Sequence, residues 1–103
     1  EFIETSLFSR LREKYLDDDR FSLLQLYLME FPDAGDVIEG SGGVRKLRWR
    51  TKGGGKRGGL RIIYYWITKD SQIFFLTLYG KSEAKNLSQD AIRTMRHLIK
   101  SLS

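Results

Sequence analysis

Apolar and polar positions alternate in two rhythms along this chain, and the change between them divides it. In "SLFSRLREKYL", Leu7, Phe8, Leu11 and Tyr15 recur at helical spacing, and Thr5 or Ser6 suits the cap. "DDD" at 17–19 interrupts the pattern and offers a second cap. In "RFSLLQLYLMEF", Phe21, Leu24 and Leu28 share one face, with Leu23 and Tyr27 beside them. So broad a stripe predicts a helix packed hard against something, ended by Pro32. "DAGDVIEGSGG" then reads as turn. From Val44 to Arg50 the period drops to two: Leu47 and Trp49 alternate with Lys46, Arg48 and Arg50, so these three bases share one face of a strand. "LRIIYYWI" and "IFFLTLY" are β-branched and aromatic almost throughout, and "TKDS" between them predicts a hairpin. Strands so continuously apolar belong in a sheet covered on much of both faces. Ser88 is placed to cap a last helix, with Leu87 and Ile92 as a hydrophobic staple and Ile92, Met95, Ile99 and Leu102 as its buried face. With "FIET" as a short first strand, the order is β-α-α-β-β-β-α. This predicts one α+β domain over 1–103, a twisted, mainly antiparallel sheet with two N-terminal helices and one C-terminal helix.

The 103 residues suit a single compact core, 41% of them hydrophobic. No stretch approaches the roughly 20 apolar residues of a membrane-spanning helix. The opening "EFIETSLFSR" does not read as a signal peptide, which points to a cytoplasmic location. Cysteine is absent and His97 is the only histidine, so thiolate zinc sites and histidine clusters within one chain are excluded.

Charge sharpens the picture. Residues 1–44 hold ten acids and four bases, residues 45–61 eight bases and no acid, and residues 62–103 six bases and three acids. Eight uncompensated bases exceed what solvation needs and point to a polyanionic partner. "KGGGKRGG" does not match the spacing of a nucleotide-binding loop, and strands flank it on both sides where such loops need a following helix. A glycine-rich loop does let backbone and the bases Lys52, Lys56 and Arg57 approach phosphates. Arg45 and Arg50 extend that basic surface. Trp49 and Tyr65, with Tyr64 and Trp66, are the aromatics available to stack on bases, although strand aromatics also build cores.

"DVIEGSGGVRKLRW", "KGGGKRGGLRIIYYW" and "LTLYGKSEAKNLS" resemble the HigB branch of the RelE/ParE toxin superfamily, over nearly the whole chain. The resemblance implies a small α+β toxin that enters the ribosome and cuts messenger RNA there. Its implied partners are a HigA-like antitoxin, the 70S ribosome and mRNA, with no membrane, metal or other cofactor. By the same resemblance the catalytic bases of the family match Lys46, Arg48 and Arg61. A further basic position falls on Ser82, with Lys81 adjoining it. The family's catalytic tyrosine falls near Leu87, leaving Tyr79 and Tyr65 as stand-ins. His97, deep in the last helix, matches no family site.

RNA cleavage can use the substrate's own 2′-OH. Something must take that proton, offset charge on the phosphate and protonate the 5′ oxygen. Lys46 suits the first task if neighbouring cations favour its neutral amine. Arg48 and Arg61 suit the second, and Arg61 or Lys81 can help neutralise the leaving group. Two other readings share these residues: a ParE-like toxin that inhibits DNA gyrase without cutting nucleic acid, and an RNA-binding module without catalysis.

Overall fold

The structure, a computed structural model, describes residues 1–50, 59–81, 83 and 86–102. Its elements in chain order are β1 (Phe2–Glu4), α1 (Ser6–Tyr15), α2 (Asp18–Glu30), β2 (Asp36–Val37), β3 (Arg45–Trp49), β4 (Leu60–Ile67), a 3-10 turn (Thr68–Asp70), β5 (Gln72–Gly80) and α3 (Gln89–Leu102).

The caps fall where the sequence puts them. Thr5 accepts the Phe8 N–H at 2.9 Å and donates to the Leu76 carbonyl at 2.8 Å, so one hydroxyl starts α1 and ties it to β5. Asp17 accepts the Arg20 N–H at 2.8 Å and starts α2. Ser88 accepts the Ala91 N–H at 3.1 Å at the head of α3.

The five strands lie in the order β1-β5-β4-β3-β2. β1 runs parallel to β5, and every other pair is antiparallel. The hairpin of β4 and β5 closes through the 3-10 turn and Ser71, whose φ of 52° is left-handed. The two-residue β2, inside the segment expected to be only turn, pairs with Lys46 and Arg45 and completes the edge. Its brevity hides it from any periodicity.

Both faces of the sheet are covered. On the first, α1 and α2 bring Phe8, Phe21, Leu24 and Leu28 onto Leu47, Ile62, Tyr64 and Phe75. Phe8 stacks on Phe75 with centroids 4.7 Å apart, and Phe21 tilts against the same ring at 5.5 Å. Each such pair contributes about 0.5–1.5 kcal/mol beyond burial. On the second face, Ile99 of α3 closes over Val44, Ile63 and Leu76, with Leu87 and Met95 packed alongside.

β5 carries an irregularity that decides which face its C-terminal half serves. Ile63 pairs with Thr77 while Tyr64 pairs with Phe75, which leaves Leu76 as the extra residue of a bulge. Phe75 and Leu78 therefore face the same cluster although their numbers differ in parity, and Tyr79 joins the other face.

Two expectations need correction. α2 buries Phe21, Leu24 and Leu28, but Leu23, Leu26 and Met29 stay about 60–66% exposed, so one side of this helix packs on the sheet and the other does not. Leu102, at the end of α3, is exposed, and Ile99 rather than Leu102 packs on the second cluster.

A basic row at one end of the sheet: the candidate functional site

Antiparallel pairing turns the alternation along β3 into a row across strands. Arg48 is the Cα partner of Arg61, and Arg61 is the partner of Tyr79. Neighbouring strands are about 4.8 Å apart, so these three side chains rise from adjacent points on the face that α3 covers elsewhere. Lys46, two residues back on β3, pairs with Ile63 and shares that face. Three cations and a phenol thus gather beside the end of α3's cover.

Their environments differ. Arg48 is exposed and Lys46 half-buried, its Nζ donating to Asn86 Oδ1 at 3.1 Å. Arg61 is only 5% exposed, and its guanidinium donates to the Leu60 carbonyl at 3.5 Å. The Tyr79 hydroxyl is buried with no hydrogen-bond partner among the described residues. Burial pushes that phenol above its ordinary value, and the Arg61 charge pulls the other way. The hydroxyl therefore stays protonated, a donor with nothing to donate to.

Lys81 follows β5, with an exposed side chain and a backbone N–H still bonded to the Gly59 carbonyl at 3.3 Å. That contact needs glycine: Gly59 has φ +79°, and a Cβ there would lie 2.5 Å from the Trp49 carbonyl oxygen. Glu83 pins the same corner, accepting the Gly80 N–H at 3.1 Å and pairing with Lys14 of α1 at 3.6 Å.

The remaining sequence candidates disperse. Arg45 lies on the opposite face, its guanidinium donating to the Asp33 and Gly35 carbonyls at 3.1 and 2.7 Å. Trp49 shares that face and meets Tyr27 of α2 with centroids 5.4 Å apart. Tyr65 is on the face of the basic row but packs at the far end with the Val44 cluster. Arg50 is exposed just beyond β3. Lys52, Lys56 and Arg57, and Ser82, lie outside the described residues. Leu87 packs on the second cluster, and His97 is exposed on α3 beside Arg93, Arg96 and Lys100. Asn86 escaped sequence reasoning because nothing before the fold joins it to Lys46, 40 residues away. Among the described residues no group of three His, Cys, Asp or Glu is placed to hold a metal ion, and no helix is long and apolar enough to cross a membrane.

A small mixed sheet with paired N-terminal helices, one C-terminal helix and a cationic row defines a compact α+β protein with one basic end. Residues 33–103 match the family model described as the RelE toxin of the RelE/RelB toxin-antitoxin system, and this chain belongs to that family. Solved structures agree on the fold. A chain of the intact E. coli RelBE toxin-antitoxin complex superposes with a TM-score of 0.54 at 17% identity, over 75% of this chain and 90% of that one. An E. coli RelE double mutant in the free state gives a TM-score of 0.58 at 16% identity, over 82% of this chain and 85% of that one.

Proposed function

We propose that this chain is a HigB-like toxin of a type II toxin-antitoxin system, a metal-independent endoribonuclease that cuts mRNA in the ribosomal A site and so stops translation. One observation carries the reading: Arg48, Arg61 and Tyr79 adjoin one another across three strands, with Lys46 on the same face.

The chemistry follows from those positions. Lys46 takes the proton of the RNA 2′-OH, whose oxygen attacks the adjacent phosphorus. A 2′-O–P bond forms, the P–O bond to the 5′ oxygen breaks, and the products are a 2′,3′-cyclic phosphate and a free 5′-OH. Arg48 and Arg61 hold the non-bridging oxygens as negative charge builds on them. The Tyr79 phenol or Lys81 supplies the proton to the leaving oxygen. The ribosome contributes substrate orientation, which alone can be worth several kcal/mol. Arg50 and the loop bases Lys52, Lys56 and Arg57 hold flanking phosphates.

The partners in this reading are the 70S ribosome with its mRNA, and a HigA-like antitoxin that neutralises the toxin in the cytoplasm. Primer extension on a translated mRNA, with and without the protein, tests it: cuts inside codons, dependent on ribosomes, are expected. Intact mRNA together with inhibited gyrase supercoiling would replace it with the ParE-like reading. RNA binding without either effect would leave a binding module.

A further inference from the structure

Beside the basic row, on the side toward α3, lies a cleft of about 270 Å³. Its apolar lining comes from Ile38, Leu87 and Ile92, and its polar lining from Glu39, Lys46, Asn86 and Gln89. The volume falls just below the range of pockets that take drug-sized molecules and leaves room for one flat ring system. Hydrogen bonds brace two of its walls. The turn carrying Ile38 and Glu39 is held by Ser41, fully buried, whose hydroxyl donates to the Ile38 carbonyl at 2.6 Å and accepts the Val44 N–H at 2.9 Å. The Ile38 N–H in turn reaches the Val44 carbonyl at 2.8 Å. The opposite wall is the capped start of α3.

We propose that this cleft is a nucleobase pocket that selects guanine in the RNA strand lying against the basic row. The inference rests on the RNA-cleaving reading and adds a specificity to it. Apolar walls suit the faces of an unstacked base, and single-stranded RNA is read through such bases and their Watson–Crick edges. Lys46 then decides which edge fits. Lys46 Nζ donates to the Asn86 carbonyl oxygen at 3.1 Å, which leaves the amide NH₂ as the group to act on a ligand. Glu39 brings a carboxylate, which only accepts. An acceptor followed by two N–H donors is the edge of guanine: O6 receives the Asn86 NH₂, and N1–H and N2–H donate to Glu39. Adenine and cytosine present a donor and then an acceptor, which sets donor against donor and a lone pair against the carboxylate. Uracil matches in O4 and N3–H but lacks the second donor.

The test is titration of the isotope-labelled full chain with GMP, AMP, CMP and UMP, and with inorganic phosphate, followed by backbone amide shifts. GMP is expected to move Ile38, Gln89 and Ile92 and to bind about tenfold tighter than AMP or CMP, the discrimination that one good two-bond base contact supplies. UMP should fall between. Phosphate should move only Arg48, Arg61 and their neighbours. Glu39→Gln should bring the GMP and AMP affinities to within about threefold of each other, since the amide can donate as well as accept. Equal binding of all four nucleotides, or nucleotide shifts confined to the basic row at millimolar concentration, overturns the pocket. Because binding is read without cleavage, the pocket can fail while ribosome-dependent cutting stands, and the reverse.

Discussion

Arg48 and Arg61 face each other directly across β3 and β4. Like charges in that position destabilise a sheet by a few tenths of a kcal/mol to about 1 kcal/mol. Arg61 is also nearly buried. In the RNA-cleaving reading, a phosphate between the two guanidinium groups offsets that repulsion, most strongly where its negative charge is greatest.

Arg61→Ala should therefore affect chemistry more than docking. Many bases near this face hold a ground-state phosphate, whereas a guanidinium fixed in the row meets added charge only in the transition state. Single-turnover cleavage on stalled ribosomes with saturating toxin should drop by about 100-fold or more, as for loss of one oxyanion donor. Affinity for the programmed ribosome should fall by less than about tenfold, with a shallower salt dependence. A variant that binds tenfold worse yet cleaves at the normal saturated rate would make Arg61 a docking residue.

Tyr79→Phe should separate stability from activity. The buried hydroxyl has no partner among the described residues, and removing such a group recovers about 1 kcal/mol of desolvation. Tm should rise by a few degrees, on the order of 4–8 °C per kcal/mol for a domain this size, while cleavage slows. A variant that is both less stable and fully active would remove Tyr79 from the site.

Alkaline pH should unfold the protein partly through Tyr64. Its hydroxyl donates to the Pro32 carbonyl at 2.8 Å and accepts the Gly35 N–H at 2.9 Å. Burial raises its pKa, with the Gly35 hydrogen bond and the Arg45 charge acting in the opposite direction. Below about pH 10 the phenol is neutral in both states, and its contribution is complete. Above it the unfolded chain releases a proton that the folded chain retains, so stability falls as pH rises through the folded pKa. Tyr64→Phe should lose about 1–3 kcal/mol at neutral pH through the orphaned backbone groups. Its urea midpoint should decline less than that of the parent between pH 9 and pH 11, values about a unit either side of the free phenol. Parallel declines would show that the titration lies elsewhere.

The outer side of α2 should mark the antitoxin contact. Leu23, Leu26 and Met29 are exposed there, and helical spacing sets Asp19 and Glu30 at the two ends of the Leu23–Leu26 stripe. Two copies packed antiparallel through this stripe would bring acid against acid, so a partner with apolar anchors and basic flanks fits better. Leu26→Glu should change the stability of the free toxin by no more than about 0.5 kcal/mol. The same change should weaken the antitoxin complex about tenfold or more, the effect of losing a central apolar contact. Unchanged affinity, with no hydrogen-exchange protection of α2 in the complex, would move the contact elsewhere.

Much of this molecule was already written in the order of its residues. Helical spacing and the Thr5, Asp17 and Ser88 caps set the three helices, because those signals act within a few residues of chain. Alternation in "KLRWR" put Lys46 and Arg48 on one face, because a strand's period of two is a local property. What lies across strands depends on register, which no local pattern carries. Only the ladder sets Arg61 beside Arg48, and only the folded chain brings Asn86 to Lys46. Arg45 and Trp49 look like members of the basic, aromatic surface until the same alternation turns them toward α2 and the segment after it. Tyr79 is the sharpest case. Strict alternation from Phe75 would aim it at α1 and α2, and the one extra residue at Leu76 reverses that parity and delivers its hydroxyl to Arg61. A bulge is a relation between two strands, so it came into being only when β5 met β4.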